Sequence, residues 1–154
     1  MLTKMSQIGP AGGQEIYKTR RQNLLNKIKD GVAILFAHPE QIRNDDVEHA
    51  YRPDSAFYYL SGFPESESVI VLNPNSKTPF TMFVKRKDPL RELWTGFLYG
   101  VEEAQKHFGA DKVYPYDELE KVLPSLLEGA SKIYYRLNEF EDHDHIVLNA
   151  MKTA

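Results

Sequence analysis

The chain reads as an α/β domain built on a mixed β-sheet, and three observations predict it. Stretches of helical apolar spacing alternate with short, continuously apolar runs. Two of those runs, Ser68–Leu72 and Pro79–Val84, are separated by Asn73-Pro-Asn-Ser-Lys77, a loop of turn formers that marks a hairpin. The remaining runs are separated by helical segments. Hairpins pair strands antiparallel and helical crossovers pair them parallel, so the combination gives a mixed sheet.

In chain order, residues 1–13 contain Gly9-Pro-Ala-Gly-Gly13 and read as a flexible leader, with folding expected to begin near Ile16 and a single domain expected over 14–154. Leu24, Leu25 and Ile28 recur at helical spacing among Arg20, Arg21, Lys27 and Lys29, predicting an amphipathic helix from Tyr17 to Lys29, stopped by Asp30-Gly31. Val32–Ala37 is apolar throughout, as a strand covered on both faces should be. After the hairpin come a short helix over Leu90–Trp94, a longer one over Val101–Phe108 and a brief strand at Lys112–Tyr114. Asp117 and Glu120 have capping-box spacing and are expected to open a helix through Leu119, Val122, Leu123, Leu126 and Leu127, with Pro124 an irregularity inside it. Lys132–Tyr135 closes the set as a strand, and Glu139–Lys152 as a helix. That helix meets no Gly or Pro before Ala154, which suggests a chain cut between domains.

Composition narrows the function. The 154 residues are 42% hydrophobic and 27% charged, with 8 Phe and 9 Tyr, so one packed core is expected and wholesale disorder is excluded. A net charge of −3 and a pI near 6.0 provide no basic footprint for phosphates, so nucleic acid is not an expected partner. No apolar run approaches the ~20 residues that span a bilayer, and the first residues lack a signal-peptide core, so no membrane association and a cytoplasmic location are expected. The chain has no cysteine, which removes disulfide, thiol and zinc-thiolate chemistry.

Few residues invite a chemical role. Asp45, Asp46, Glu48 and His49 include an i,i+4 acid–imidazole pair, but they sit in a linker just before Pro53, where solvated charge is the simpler reading. Glu141-Asp-His-Asp-His145 has metal-type side chains, yet acids at a helix start are what the macrodipole favours, and the spacing matches no zinc motif. No metal site is assigned to either. Arg52, Asp54 and Ser55 read as clamps for a long loop, with Phe57–Leu60 tucking it against the sheet. Lys85-Arg-Lys87 and Arg91 form a basic knot at a strand end, solvated or facing an acidic partner. Trp94 is the only tryptophan, and a lone tryptophan is more often a packing residue than a binding platform. No catalytic residue, nucleophile elbow, Walker loop or dinucleotide fingerprint is present.

The segment Arg43-Asn-Asp-Asp-Val-Glu-His-Ala-Tyr-Arg-Pro-Asp-Ser-Ala-Phe-Tyr-Tyr-Leu-Ser-Gly-Phe63, together with Arg86-Lys-Asp-Pro-Leu-Arg-Glu-Leu-Trp94, resembles the N-terminal domain of the Xaa-Pro aminopeptidases, or aminopeptidase P, of the creatinase/prolidase-like metallopeptidases. The likeness runs from about Tyr17 to the end. It implies a mixed sheet of about six strands flanked by helices, joined to a C-terminal metallopeptidase domain holding two divalent ions, commonly manganese, between two Asp, one His and two Glu. None of those five ligands can be assigned in this chain. The resemblance further implies peptide substrates with proline at position two, a homo-oligomer, and a non-catalytic role in substrate access, so this chain alone should be inactive. The family's Glu-[Leu/Ile]-Trp-x-Gly element matches Glu92–Gly96, and in some members its tryptophan reaches toward a neighbouring subunit's active site. By that likeness Trp94 is the substrate-contact candidate. Phe97-Leu-Tyr-Gly100 departs from the more basic stretch of some relatives. A prolidase or creatinase relative, or a free-standing interaction module, are the alternative readings.

Overall fold

A computed structural model describes residues 8–39 and 54–154. The described elements are α1 (Gln14–Ile28), β1 (Gly31–Phe36), α2 (Ser55–Ser61), β2 (Val69–Leu72), β3 (Phe80–Val84), α3 (Pro89–Thr95), α4 (Gly100–Phe108), β4 (Lys112–Pro115), α5 (Leu119–Leu127), β5 (Lys132–Tyr134) and α6 (Glu141–Thr153). Five strands lie among these residues, against about six expected, in the order β4-β3-β2-β1-β5. The sheet is mixed as predicted: β2 pairs antiparallel with β1 and β3, while β5 and β4 lie parallel to β1 and β3.

The alternation of side chains along each strand explains why these runs are apolar without a break. Ala33, Ile70, Leu72, Phe80, Met82 and Val84 face one side, where Leu25, Ile28, Phe57, Leu60 and Phe108 from α1, α2 and α4 cover them. Val32, Ile34, Phe36, Val69, Val71 and Phe83 face the other, under Leu119, Leu123, Leu127, Val147 and Ala150 from α5 and α6. Each fully buried Phe, Leu or Ile in these two layers contributes about 1.5–3 kcal/mol. The chain therefore closes both faces of its sheet with its own helices.

Three local expectations are corrected. Residues 55–61 form a helix rather than a loop tucked on the sheet: Asp54 Oδ2 accepts the Phe57 N–H (3.0 Å), and Gly62 ends the helix at φ +68°. Gly62 admits no side chain, since a Cβ there would meet Pro10 Cβ at 2.6 Å and Tyr17 Cζ at 2.9 Å. Asp117 does not cap α5. A 3₁₀ turn over Tyr116–Glu118 precedes that helix, and the Asp117 carboxylate instead takes the Arg86 guanidinium at 2.7 and 3.1 Å. Arg21 is not on the solvent face of α1 but on its buried stripe with Tyr17, Leu25 and Ile28. It is 5% exposed, donates to the Leu60 carbonyl (2.9 Å) and lies over the Phe80 ring at 4.0 Å. Burial lowers its guanidinium pKa to about 10, with Asp111 opposing the shift.

Residues 1–7 of the expected leader lie outside the described residues. Its second half makes a turn in which the Gly9 N–H donates to Tyr99 Oη (3.1 Å). No helix among the described residues is long and apolar enough to cross a membrane.

Candidate functional site

β1, β3, β4 and β5 all run the same way, so their C-terminal ends share one rim of the sheet. In α/β folds this rim is where ligands are generally bound. His38, the stretch from Lys85 to Tyr99, the Tyr116–Glu118 turn and the Tyr135–Glu139 loop follow these ends. Two groupings stand on the rim.

The first is α3. Asp88 Oδ1 accepts the Leu90 and Arg91 N–H groups (3.1 and 3.3 Å), and Pro89, whose missing N–H costs nothing in a first turn, starts the helix. None of its seven residues is buried. Leu90, Leu93 and Trp94 are 72, 79 and 86% exposed, and Phe97 beyond the helix is 55% exposed. Trp94 is therefore not the packing residue that a lone tryptophan usually is. It stands at the end of an apolar ridge projecting from the body, the kind of exposed patch that marks a contact surface.

The basic knot around this ridge is paired within the chain, with Arg86, Lys87 and Arg91 still exposed to solvent and Lys85 buried. Lys85 is buried and donates to Ser66 Oγ (3.1 Å). Arg86 pairs with Asp117 and Glu118, Arg91 with Glu67 (3.0 Å), and Lys87 with Glu92 (3.0 Å). Lys87 Nζ also donates to the Leu98 carbonyl (2.6 Å). The Glu92 carboxyl is held below its ordinary pKa, first by the Leu98 N–H and then by the Lys87 hydrogen bond. Glu65 behaves oppositely: burial pushes its carboxyl up, although the Tyr99 N–H (2.8 Å) pulls it down.

The second grouping was not foreseen. His38 Nε2 lies 3.1 Å from Asp54 Oδ1 and 3.3 Å from Glu139 Oε2, three metal-type donors within 4.8 Å of one another. Arg136 Nη1 bridges the same two carboxylate atoms, at 3.1 and 3.4 Å. A guanidinium thus already supplies the positive charge on which both acids converge, so the donor set suits an ion-pair lock better than a divalent ion. It flanks a cavity of about 390 Å³ whose walls include Leu24, Phe36, Tyr134, Tyr135 and Phe140. His38 and Arg136 are too far apart in sequence for any spacing rule to join them.

Asp45, Asp46, Glu48, His49 and Arg52 lie outside the described residues. Within Glu141–His145, Asp144 accepts from Tyr135 Oη (2.7 Å) and the Asn138 N–H, while His143 stacks on Phe36 at 4.1 Å and burial lowers its pKa.

Comparison with known proteins decides the family. The family model "Aminopeptidase P, N-terminal domain" matches residues 17–134, well over half of the chain. The chain belongs to the aminopeptidase P N-terminal domain family. Among relatives, it is 33% identical over 139 residues to the Xaa-Pro aminopeptidase of Escherichia coli, covering 88% of this chain and 32% of that protein. It is 28% identical over 148 residues to human Xaa-Pro aminopeptidase 3, covering 87% and 29%. Among solved structures, Pseudomonas aeruginosa aminopeptidase PepP superposes with a TM-score of 0.84 at 38% identity, covering 95% of this chain and 33% of that one. A substrate complex of an E. coli aminopeptidase P variant gives 0.82 at 30%, covering 91% and 32%. This aminopeptidase P domain spans about a third of the length of the relatives it matches.

Proposed function

We propose that this domain is the non-catalytic N-terminal part of a manganese-dependent Xaa-Pro aminopeptidase, in which it shapes substrate access and supports a homo-oligomer. One observation supports the access role above others: Trp94, at the end of an unburied helix on the rim formed by the strands' C-terminal ends, exposes 86% of its surface. An indole face so presented can pack against the ring of a proline at position two of a peptide. The metal belongs to a second domain in this reading, because the described residues that resemble ligands are already bridged by Arg136.

Trp94→Ala in the full-length protein should raise KM or lower kcat/KM for short Xaa-Pro peptides by about tenfold, with metal content and oligomer mass unchanged. Unaltered kinetics across several peptide lengths would remove Trp94 from the substrate path. Cleavage confined to dipeptides would favour a prolidase-like relative instead. The ridge of Leu90, Leu93, Trp94 and Phe97 also favours a second reading, a protein-interaction face. In that case Trp94→Ala would spare peptide hydrolysis and abolish binding of a partner.

A further inference from the structure

We propose that Glu92 and Lys87 are positioning residues for Trp94, closing residues 92–98 into a pinned loop that presents the indole in one orientation. This deepens the substrate-contact reading and rests on it for its effect on catalysis.

The problem the pair solves is visible in the fold. A seven-residue helix with no buried side chain has little packing among the described residues to hold it, and short helices are marginal by themselves. Its tryptophan would then sample many directions, and ordering it on each encounter would cost affinity. The chain around it is tied instead. Glu92, two residues before Trp94, accepts the Leu98 N–H on Oε2 (2.9 Å), four residues after it. Its own carbonyl accepts the Gly96 N–H (3.0 Å), and Gly96 makes the required reversal at φ +92°. Lys87 completes the ring: its ammonium contacts the same Glu92 oxygen (3.0 Å), donates to the Leu98 carbonyl (2.6 Å) and sits 4.2 Å from the centre of the Phe97 ring.

The base of the excursion is closed as tightly. The next N–H, that of Tyr99, goes to the buried Glu65 carboxylate, and the Tyr99 ring wedges against Phe63 and Phe108. Gly100 comes so near Lys87 that a Cβ there would meet Lys87 Cβ at 2.8 Å. The chain thus leaves the body at Lys87 and returns beside it, with Trp94 near the apex and the Glu92–Lys87 pair inside the loop.

Because Trp94 is the only tryptophan of the 154 residues, its fluorescence anisotropy decay in this chain reads its order without reference to any activity. Glu92→Ala and Lys87→Met should each raise the amplitude of the sub-nanosecond wobble about twofold, at unchanged far-ultraviolet circular dichroism. Glu92→Gln, whose amide oxygen still accepts the Leu98 N–H, should stay near wild type. Unchanged wobble in both Glu92→Ala and Lys87→Met overturns the proposal, whatever the kinetics. In the full-length protein, Glu92→Ala should raise KM for short Xaa-Pro peptides about three- to tenfold with kcat retained, and Glu92→Gln should restore it. If Trp94→Ala leaves the kinetics untouched while the wobble changes as expected, the substrate reading fails and the pinning stands.

Discussion

Glu65 shows how one side chain can serve two demands that conflict. It is buried, its Oε2 holds the Tyr99 N–H at the base of the Trp94 loop, and its Oε1 lies buried without a hydrogen-bond partner among the described residues. Burial raises its pKa, and the Tyr99 N–H, Lys85 and Lys87 only partly oppose that. An acid whose folded pKa exceeds its unfolded value binds more protons when folded. Its contribution is therefore full below the unfolded value near 4.5 and is lost as pH rises through the folded one. The stability of wild type relative to Glu65→Gln should accordingly increase as pH falls from 7 toward about 4.5 and level off below it, measured by urea unfolding at each pH. The opposite slope would mean that Lys85 and Lys87 outweigh burial. Arg21 is the converse case at this scale, a cation drawn into the core because the Leu60 carbonyl needs a donor and Phe80 offers a ring face.

At the scale of elements, Asp54 joins three of them. Its Oδ2 caps α2, while its Oδ1 meets Arg136 from the β5–α6 loop and His38 beyond β1. The cap contributes about 1 kcal/mol. Arg136 is mostly exposed, so solvent screens its pairing and that part adds little. Asp54→Ala should therefore lower stability by about 1–2 kcal/mol in denaturant titration, and Asp54→Asn, which keeps an acceptor for the Phe57 N–H, should recover most of the loss. Equal losses in both variants would show that the ion pairs, rather than the cap, hold this corner. α3 is built on the other principle: it is capped by Asp88 and tied by side chains, with no core contact to trade against its exposed ridge.

For the molecule as a whole, the central fact is one sheet covered on both faces. Leu123 of α5 and Phe57 of α2 are both fully buried, on opposite sides of shared strands. Leu123→Ala should cost about 2–5 kcal/mol and Phe57→Ala about 3–5 kcal/mol. Since both layers rest on the same backbone ladders, each variant should still melt in a single transition. Two separated transitions in either variant would mean that the faces fold independently. The same architecture gathers the C-terminal ends of four strands on one rim, which is where the Trp94 ridge and the His38–Asp54–Glu139–Arg136 lock both stand.

What was legible in the sequence was what repeats locally. Val32–Ala37, the hairpin flanking Asn73–Lys77 and the stripe of α5 could be placed because apolar periodicity reports how many faces of an element are covered. The family was legible as well, in the segments ending at Phe63 and Trp94. The helix at 55–61 was missed because seven residues rich in Phe and Tyr show no clear stripe; its signals were Asp54 as a cap and Gly62 as a stop. Asp117 had the spacing of a cap but found a stronger partner in Arg86, 31 residues away. Whether Trp94 is buried or displayed, which carbonyl Arg21 serves, and that His38 meets Glu139 are non-local outcomes. They depend on strand order and on which surfaces the packed core leaves uncovered, quantities that no local window of residues contains. The sequence by itself therefore determined the elements with a clear local period and their family, and the tertiary structure alone decided which charges pair and which aromatic stands free.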